Sequence, residues 1–329
     1  MDHGPIYLAG ADRSGTTLMS ALLATHPHIA IANLGSNMWT FFDGKFGALE
    51  RPENFERCLA ALLRYKNVLV LKPDAARIRR EFAQGEHTYA RLFRLIEDHF
   101  AERLGKPRWG DKTSYVERYA STIFTAYPDA KMIHMVRDPR DRYASAIKRW
   151  PSGRGQVGGG TARWLYSVRL AAKNQKRFPR QYKIVRYETL VTRPEETMRE
   201  VCAFLDEPYD PVMFTMAGAK GFWAKGGNSS YERFTPGIIS SSAVGRYHQA
   251  LSAREIAFIQ TFARREMTEY DYVPSPSRFS RREQIAFYGL YIPAHLVRFS
   301  AWRIQELLQQ HLPLLVGRTP MGNRLLPDP

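Results

Sequence analysis

AGADRSGTTLMSALLATHP, residues 9–27, carries the strongest local pattern in this sequence. Residues 5–9 are apolar and β-prone, and residues 16–25 place apolar side chains at helical spacing, so the segment predicts a strand, a tight turn and a helix. Gly10 and Gly15 lie in the turn. Glycine permits positive φ and close backbone approach, so several N–H groups can face one anion where the helix begins. The pattern predicts a phosphate-binding loop.

The spacing of Gly10 and Gly15 matches the Walker loop, but Thr16 stands where that loop requires lysine. Arg13 is the fixed cation inside the turn, and Thr17 takes the Ser/Thr position. A kinase or NTPase uses the lysine on its β- and γ-phosphates beside Mg²⁺, so this loop is predicted to bind a different anion. The alternative is an ordinary glycine-containing turn between a strand and a helix.

Composition limits the classes of protein that fit. The chain has 329 residues, of which 44% are hydrophobic, and this suits one large α/β domain or two smaller ones. The formal charge of +16 favours a polyanionic partner. Nucleic acid is not expected, because the basic residues are spread along the chain without a zinc-finger, RNP or KH signature. Anionic nucleotides, acidic acceptors or an anionic membrane surface explain the charge equally well.

Localisation and redox state follow from what the sequence contains. No charged and then apolar leader begins the chain, and no apolar run is long enough to span a bilayer, which predicts a cytoplasmic or cytoplasm-facing protein. Cys58 and Cys202 lie in apolar helical contexts without histidine at ligand spacing. They are predicted to be buried free thiols, and no metal site is expected.

Helices and strands alternate along the rest of the chain, as in an α/β fold. Helical patterns at residues 53–65 and 86–104 flank a strand-like run at 68–71. Further on, helices are predicted at 161–178 and 194–205 and a strand at 182–185.

Two segments each allow two interpretations. Trp39, Phe41, Phe42 and Phe46 either cover the core or line an acceptor pocket. The glycine-rich run GRGQVGGG, residues 153–160, is predicted to be a mobile loop, which is either inert or an active-site lid.

Lys112 and Asp111 lie in the segment WGDKT, just before a helix predicted from about residue 114 to 126. A lysine beside a carboxylate at the start of a helix can be a solvated capping pair. It can equally place a cation against a group that is being transferred.

Residues 131–136 are predicted to form a buried strand. Arg137 lies at its carboxyl end, and Ser145 lies two turns into the following helix. Ligands collect outside the carboxyl ends of an open parallel sheet, so these two residues could share a second phosphate. His134, inside the strand, is predicted to be a hydrogen-bonded core histidine.

Three separated segments resemble the sulfotransferases that use 3′-phosphoadenosine 5′-phosphosulfate (PAPS), especially the bacterial and tyrosylprotein-type branch. Residues 13–17, followed by His26 and Pro27, resemble the family's 5′-phosphosulfate loop. Arg137 and Ser145 resemble its 3′-phosphate pair.

Later segments of the family's nucleotide site also have counterparts, at residues 186–188 and 245–247. The resemblance covers roughly residues 5–273. It implies that the nucleotide is bound by Arg13, Ser14, Gly15, Thr16, Thr17, Arg137, Ser145, Tyr187, Ser242 and Arg246.

The resemblance implies a P-loop-like α/β fold, with a central parallel β-sheet flanked by helices and no bound Mg²⁺. It implies that PAPS is the co-substrate, whose sulfuryl group moves in line to an acceptor oxygen or nitrogen. Lys112 stands where the tyrosylprotein-type enzymes have a catalytic lysine, and Arg13 would also act on the transferring group. The expected acceptor is a small molecule, a lipid or a glycan.

The general base is not assigned by the resemblance. Relatives usually have an acidic residue where this chain has Asn33-Leu34-Gly35. Asp111 is the candidate base by position, and Asp43 or Asp74 are the alternatives.

Two other classes of protein compete with a sulfotransferase. A P-loop kinase is disfavoured by Thr16 and by the lack of a clear metal-binding carboxylate after an apolar strand. A catalytically degenerate module that binds a nucleotide or a membrane is favoured only by the missing acidic residue. Mg²⁺-independent binding of adenosine 3′,5′-bisphosphate would exclude the kinase, and turnover would exclude the module.

Residues 1–273 are predicted to form the catalytic domain and residues 274–329 a helical C-terminal extension. Residues 274–277 read as a linker, and Gly289 and Pro293 favour two helices or one kinked helix. Arginines accompany its apolar side chains, namely Arg278, Arg281, Arg282, Arg298 and Arg303. The extension is predicted to dock on an anionic membrane surface, to form a homodimer, or to pack on its own catalytic domain.

Overall fold

The computed structural model describes residues 3–222, 235–276 and 279–311. In this part of the chain, a parallel five-stranded β-sheet lies at the centre, and helices cover both of its faces. This confirms the predicted fold class. The strands are β1 (Ile6–Ala9), β2 (Ile29–Ile31), β3 (Arg108–Lys112), β4 (Lys131–Val136) and β5 (Tyr182–Arg186).

The α-helices vary from one turn to more than five turns. They are α1 (Thr16–Thr25), α2 (Met38–Phe41), α3 (Pro52–Arg64), α4 (Lys66–Leu69), α5 (Ala75–Phe82), α6 (Tyr89–Arg103), α7 (Ala120–Ala126), α8 (Pro139–Arg149), α9 (Val157–Arg177), α10 (Tyr187–Thr192), α11 (Pro194–Leu205), α12 (Tyr247–Ala250), α13 (Ala253–Glu269), α14 (Arg281–Ala286) and α15 (Ile292–His311). Short 3₁₀ turns occur at Val116–Tyr119, Pro151–Gly153, Pro211–Thr215 and Ala217–Phe222, and a π-helical turn occurs at Phe287–Tyr291.

Strand order places β1 in the middle of the sheet, in the sequence β2-β3-β1-β4-β5. Leu8 of β1 lies opposite Lys112 of β3, and Val136 of β4 lies opposite Arg186 of β5. Because all of these pairs are parallel, the carboxyl ends of the strands meet at one edge of the sheet. The turn at residues 10–15 and the residues that follow β3, β4 and β5 therefore converge at this edge.

Alternation along β1 explains why both faces of the sheet are covered. Tyr7 and Ala9 point into one hydrophobic cluster, which includes side chains of α3 and α6. Ile6 and Leu8 point into a second cluster, which includes α1 and α11. Neighbouring residues of a strand face opposite sides, so a strand that is apolar throughout is buried on both sides.

The sequence predicted three elements with the bounds that the structure has: α1, β4 and α11. The helices predicted at 53–65, 86–104 and 161–178 and the strand predicted at 182–185 agree with α3, α6, α9 and β5 to within a few residues. Three other predictions differ from the structure.

The run at residues 68–71 was predicted to be a strand, and this prediction is wrong. Lys66–Leu69 is a helix, α4, and the N–H of Leu71 donates to the carbonyl of Val68. Val68 and Leu71 are buried three residues apart, whereas Val70 is exposed. That is the spacing of a helix face, which a four-residue apolar run does not distinguish from a strand.

Residues 109–113 were predicted to lie at the start of a helix, and this placement is also wrong. They belong largely to β3, which ends at Lys112. The helix expected at 114–126 begins as the 3₁₀ turn Val116–Tyr119 and continues as α7. Lys112 and Asp111 are therefore strand residues.

The glycine-rich run 153–160 was predicted to be a loop, but α9 already begins at Val157. A Cβ at Gly158 would overlap the main-chain oxygen of His295, and one at Gly160 would lie 2.7 Å from the ring of Tyr143. These glycines allow α9 to approach α15 and α8 closely. Their role is close packing of helices, which composition alone did not reveal.

Several predictions about the core are confirmed. Trp39 and Phe42 are buried, and Phe41 and Phe46 pack against the same cluster, so these aromatics cover the core. Cys58 is buried in this cluster as well, and Cys202 is buried on the other face of the sheet; both are free thiols.

The described part of the chain after residue 274 packs on the residues before it. Trp302 of α15 contacts Tyr166 of α9, with ring centroids 5.8 Å apart. Arg118 forms an ion pair of 2.6 Å with the buried Glu306 of α15. Within residues 3–222, 235–276 and 279–311, no helix is both long enough and apolar enough to cross a bilayer.

Replacement of Gly158 by alanine tests the contact between α9 and α15. The new methyl group meets the backbone of His295, so α15 must shift, and we expect a loss of about 1–3 kcal/mol in the free energy of unfolding. Gly153→Ala is the matched control, because its Cβ comes no closer than 4.0 Å to any atom. Urea denaturation gives the measurement. Equal stability of the two variants would contradict the packing account.

Candidate active site

The turn between β1 and α1 has the backbone conformation that the two glycines predicted. Gly10 and Gly15 have φ of 125° and 94°, and Arg13 has φ of 68°. No side chain caps the first turn of α1, which begins at Thr16. A helix start without a side-chain cap presents backbone N–H groups and the positive end of the helix dipole to an anion.

Gly15 has a second structural role, which involves Tyr187. A Cβ at Gly15 would lie 2.5 Å from the Tyr187 ring, so only glycine allows this ring to pack under the loop. Tyr187 follows β5 directly and is buried. The structure thus brings Tyr187 to the loop, and its contact with the nucleotide stays a prediction.

Arg13 links the loop to α8. Its Nε donates to the hydroxyl oxygen of Ser145 at 3.0 Å. Burial, together with the nearby positive charge of Arg137, lowers the pKa of Arg13 to about 10. Two guanidinium groups therefore lie close enough to repel each other, which an anion between them would relieve.

Arg137 follows β4 directly and contacts the loop. Its Nη1 donates to the carbonyl of Arg13 at 3.2 Å, and its Nη2 donates to the carbonyl of Ala243 at 2.7 Å. Its guanidinium carbon lies 4.3 Å from the centroid of the Tyr187 ring. Among the described residues, the buried Nε of Arg137 has no hydrogen-bond partner. A buried donor of this kind fits a phosphate oxygen.

Residues 243–247 are held at the same edge by α8. Asp141 accepts hydrogen bonds from the N–H groups of Gly245 and Tyr247, at 2.7 and 2.9 Å. Ser242 is exposed, and its hydroxyl oxygen accepts a hydrogen bond from the hydroxyl of Ser240. Nη1 of Arg246 donates a hydrogen bond to the side chain of Gln249. A contact of Ser242 or Arg246 with the nucleotide stays a prediction.

Lys112 lies on the other side of the loop, at the end of β3. Its Nζ donates to the carbonyl of Asn33 at 3.1 Å. Burial lowers the pKa of Lys112 to about 8, although the neighbouring Asp111 opposes this shift. With this pKa, the amine of Lys112 is still mostly protonated at neutral pH. A nearby anion would favour the charged form further.

Asp111 anchors the loop that follows β2. One carboxylate oxygen accepts the N–H of Ser36 at 2.8 Å, and the other accepts the hydroxyl of Thr113 at 2.8 Å. Burial raises the pKa of Asp111, and these hydrogen bonds only partly offset the rise. The geometry thus gives Asp111 a structural task, and its role as general base stays a prediction without support from these contacts.

The alternative bases are no better placed by their contacts. Asp74 accepts the N–H of Arg77 and caps α5. Asp43 is half-buried, and burial raises its pKa.

Glu117, which the sequence did not single out, supports the loop from behind. Its carboxylate accepts the N–H of Gly10 at 3.3 Å and the hydroxyl of Ser167 at 2.7 Å. Ser167 also lies 3.2 Å from Nε2 of His134, whose Nδ1 lies 2.7 Å from the hydroxyl of Tyr182. This confirms that His134 is a hydrogen-bonded core residue. The same chain of contacts connects β5 and β4 to the first glycine of the loop.

Asp12 and Arg142 form a second support that the sequence did not indicate. Arg142 pairs with the carboxylate of Asp12 and donates through Nε to its carbonyl at 3.0 Å. The hydroxyl of Tyr115 donates to the same carboxylate at 3.2 Å. Partners from α8 and from the turn after β3 therefore fix the loop, and only tertiary contact could reveal them.

Metal-ligand geometry occurs once among the described residues, at His26, His28 and Glu207. Nε2 of His26 lies 2.8 Å from the carbonyl oxygen of Pro208, and its Nδ1 accepts a hydrogen bond from the N–H of His28. Nδ1 of His28 lies 2.9 Å from the Glu207 carboxylate, which also pairs with Arg108. These contacts make the cluster a hydrogen-bonded brace between the residues after α1 and those after α11.

Glu117→Gln tests the support behind the loop. The amide offers one acceptor oxygen where the carboxylate offers two, so either the N–H of Gly10 or the hydroxyl of Ser167 loses the oxygen that accepts its hydrogen bond. We expect the free energy of unfolding to fall by about 1–3 kcal/mol, and the affinity for adenosine 3′,5′-bisphosphate to fall with it. Calorimetric titration and urea denaturation give the two measurements. The control is Glu102→Gln at an exposed ion pair; a variant at Glu117 that behaves like this control would refute the role.

Comparison with known proteins agrees with this geometry. The family model described as "Sulfotransferase family" matches residues 5–211. A protein-tyrosine sulfotransferase of Drosophila melanogaster is 25% identical over 218 residues, which are 63% of this chain and 39% of that protein. Nodulation protein NoeE of Sinorhizobium fredii is 26% identical over 235 residues, 65% of this chain and 52% of that protein. The chain thus matches less than two thirds of either relative's length.

A solved structure shows the same fold. The sulfotransferase domain from the curacin biosynthetic pathway superposes with a TM-score of 0.53 at 17% identity, over 83% of this chain and 99% of that domain. The family match covers well over half of the chain, includes the turn at residues 10–15 and Arg137, and does not favour the kinase alternative. The chain belongs to the sulfotransferase family.

Proposed function

We propose that this protein transfers the sulfuryl group of PAPS to a hydroxyl group, or as a second choice an amine, of an acceptor. A bond forms between the acceptor oxygen and sulfur, and the bond from sulfur to the bridging phosphate oxygen breaks. Adenosine 3′,5′-bisphosphate leaves with that electron pair, and the acceptor's proton passes to a base. The observation that carries the proposal is the contact of Arg13 with both Ser145 and Arg137, which joins the two predicted phosphate sites.

Each residue of the predicted nucleotide site receives a role in this proposal. The backbone of residues 14–17 and Arg13 bind the 5′-phosphosulfate, and Arg137 and Ser145 bind the 3′-phosphate. Tyr187 supports Arg137 and the loop, and Ser242 and Arg246 complete the nucleotide side. Lys112 and Arg13 offset negative charge on the group in transfer, where preorganised donors lower the barrier most.

We also propose that residues 1–273 are the catalytic unit and that the extension from residue 274 is an accessory segment. Exposed apolar residues on α15, such as Val297 and Ile304, favour a peripheral association with an anionic membrane on the cytoplasmic side. Exposed arginines at 281 and 282 add charge complementarity to such a surface. A homodimer through the same residues is the alternative.

Transfer of ³⁵S from labelled PAPS to lipid, glycan and protein fractions tests the activity directly. Arg13→Ala removes a donor to the phosphosulfate, and we expect turnover to fall by about 10²–10³-fold. Arg264→Ala, an exposed arginine of α13, is the charge-matched control. Label transfer that is absent, or that survives in Arg13→Ala, would contradict the proposal.

Arg137→Ala separates the two phosphate sites. Charge-assisted hydrogen bonds to phosphate contribute roughly 1.5–3 kcal/mol, so we expect affinity for adenosine 3′,5′-bisphosphate to fall about ten- to a hundredfold and affinity for AMP to change little. Calorimetric titration of both nucleotides measures this, with a melting curve as the check on folding. Equal weakening of both nucleotides would remove Arg137 from the 3′-phosphate site.

A pH profile tests Lys112. The pKa of about 8 means that the amine loses its charge as pH rises through 8, so kcat/KM for PAPS, which reports the free enzyme, is expected to fall there. Lys112→Arg keeps the charge to far higher pH, so the fall should disappear even if turnover is lower. Identical profiles for the two proteins would show that another group controls the pH dependence.

A further inference from the structure

Two cavities meet beside the phosphosulfate loop. The inner one has a volume of about 460 Å³ and is bounded by Asp12 and Trp150 among others. The outer one has a volume of about 520 Å³ and lies between Arg154 and the helix α15. Gln156 and Arg163 line both, so the two cavities adjoin, and together they are here called the basic groove.

The inner end of the basic groove adjoins the donor site. Asp12 directly precedes Arg13 in the loop, and the Arg13 guanidinium carbon lies 6.0 Å from the centroid of the Trp150 ring. Tyr115, which also lines the inner cavity, is three residues beyond Lys112. A ligand that fills the groove would therefore present one end to the atoms that Arg13 and Lys112 surround.

Charge in the basic groove is strongly one-sided. Asp12 is the sole acidic residue that lines it within the described ranges, and it forms an ion pair with Arg142. Burial, the largest single influence, would raise the pKa of Asp12, but the charge and hydrogen bond of Arg142, together with Arg163 and Tyr115, outweigh it and lower the pKa, so the carboxylate stays ionised beside Arg142. Arg154, Arg163 and Arg298 remain in excess. Guanidinium groups at such density favour a ligand that carries phosphate or carboxylate.

The outer wall of the groove is the helix α15, and an adjoining face of this helix, which continues into the π-helical turn before it, is apolar. Residues spaced four and three apart form an exposed row, here called the apolar stripe: Leu290, Ala294, Val297, Ala301, Ile304 and Leu308. Val297 is 69% exposed and Ile304 is 56% exposed. Ala301 belongs to the stripe and also lines the groove. Helix neighbours three and four apart share a face, so charged and apolar surfaces meet at this residue.

We propose that the acceptor is an anionic amphiphile, namely a phosphate-bearing lipid with a hydroxyl on its headgroup. The headgroup lies in the basic groove with its phosphate on Arg163 and Arg298, and its hydrocarbon lies along the apolar stripe. This proposal rests on the proposed sulfuryl transfer and names the class of acceptor for that site. It also explains why the extension packs on the catalytic domain, because α15 supplies one wall of the groove.

Binding of short-chain lipids tests this proposal independently of turnover. The protein, in EDTA and with adenosine 3′,5′-bisphosphate in excess, is titrated calorimetrically with dihexanoylphosphatidylglycerol below its micelle concentration, and with dihexanoylphosphatidylcholine for comparison. We expect the anionic lipid to bind at least about tenfold more tightly, because only its headgroup carries net negative charge. An acetylated hexaglutamate peptide is the third probe and represents acidic protein acceptors.

Variants test separately the arginines of the basic groove and the side chains of the apolar stripe. Arg163→Gln should lower the affinity for phosphatidylglycerol by about tenfold and that for phosphatidylcholine by a smaller factor, because the choline ammonium already offsets the charge of its phosphate. Arg163→Gln with Arg298→Gln should lower the affinity for phosphatidylglycerol further. Val297→Ser with Ile304→Ser should weaken both lipids alike, since it removes only apolar contact. Arg264→Gln, an exposed arginine on α13, is the charge-matched control.

Three results would overturn the proposal. These are equal binding of the two lipids, tighter binding of hexaglutamate than of phosphatidylglycerol, and unchanged lipid binding in the arginine variants. Failure of the proposed sulfuryl transfer would instead appear as absent binding of adenosine 3′,5′-bisphosphate or absent label transfer, so the two failures are distinguishable.

Discussion

The close approach of Arg13 and Arg137 is the constraint on which the site depends. The two positive side chains share the loop between β1 and α1, and together with burial their repulsion depresses the pKa of Arg13. A bound anion close to both guanidinium groups would relieve this repulsion. The helix start at Thr16 adds positive potential from backbone N–H groups. Charge, helix dipole and strand ends thus all favour phosphate at the same edge of the sheet.

Rigid supports around the loop hold these charges in place. Glu117 accepts the N–H of Gly10, the carboxylate of Asp12 pairs with Arg142, and Asp141 fixes the backbone of residues 245–247. Each support is a buried or partly buried acidic residue behind or beside the loop. Negative charge on these residues offsets the arginines without occupying the ligand's space. This explains how a strongly basic site forms in a folded protein before any nucleotide binds.

Sequence patterns were sufficient for the local parts of the structure. The glycines of the loop and the helix at 16–25 could be predicted because their cause lies within a few residues. The family was also predicted correctly from three short segments, and the family match confirms it. By contrast, the four-residue helix at 66–69 resembled a strand, because its burial depends on partners distant in sequence. Glu117 was missed for the same reason: nothing near it in sequence indicates that it contacts Gly10, 107 residues away.

A crystal structure of the complex with adenosine 3′,5′-bisphosphate, grown in EDTA, tests the central claim most directly. The account predicts that the 5′-phosphate lies on the backbone N–H groups of residues 14–17 beside Arg13. It further predicts that the 3′-phosphate lies within hydrogen-bond distance of Arg137 and Ser145. Nucleotide bound at another edge of the sheet, or bound only when Mg²⁺ is supplied, would contradict the account.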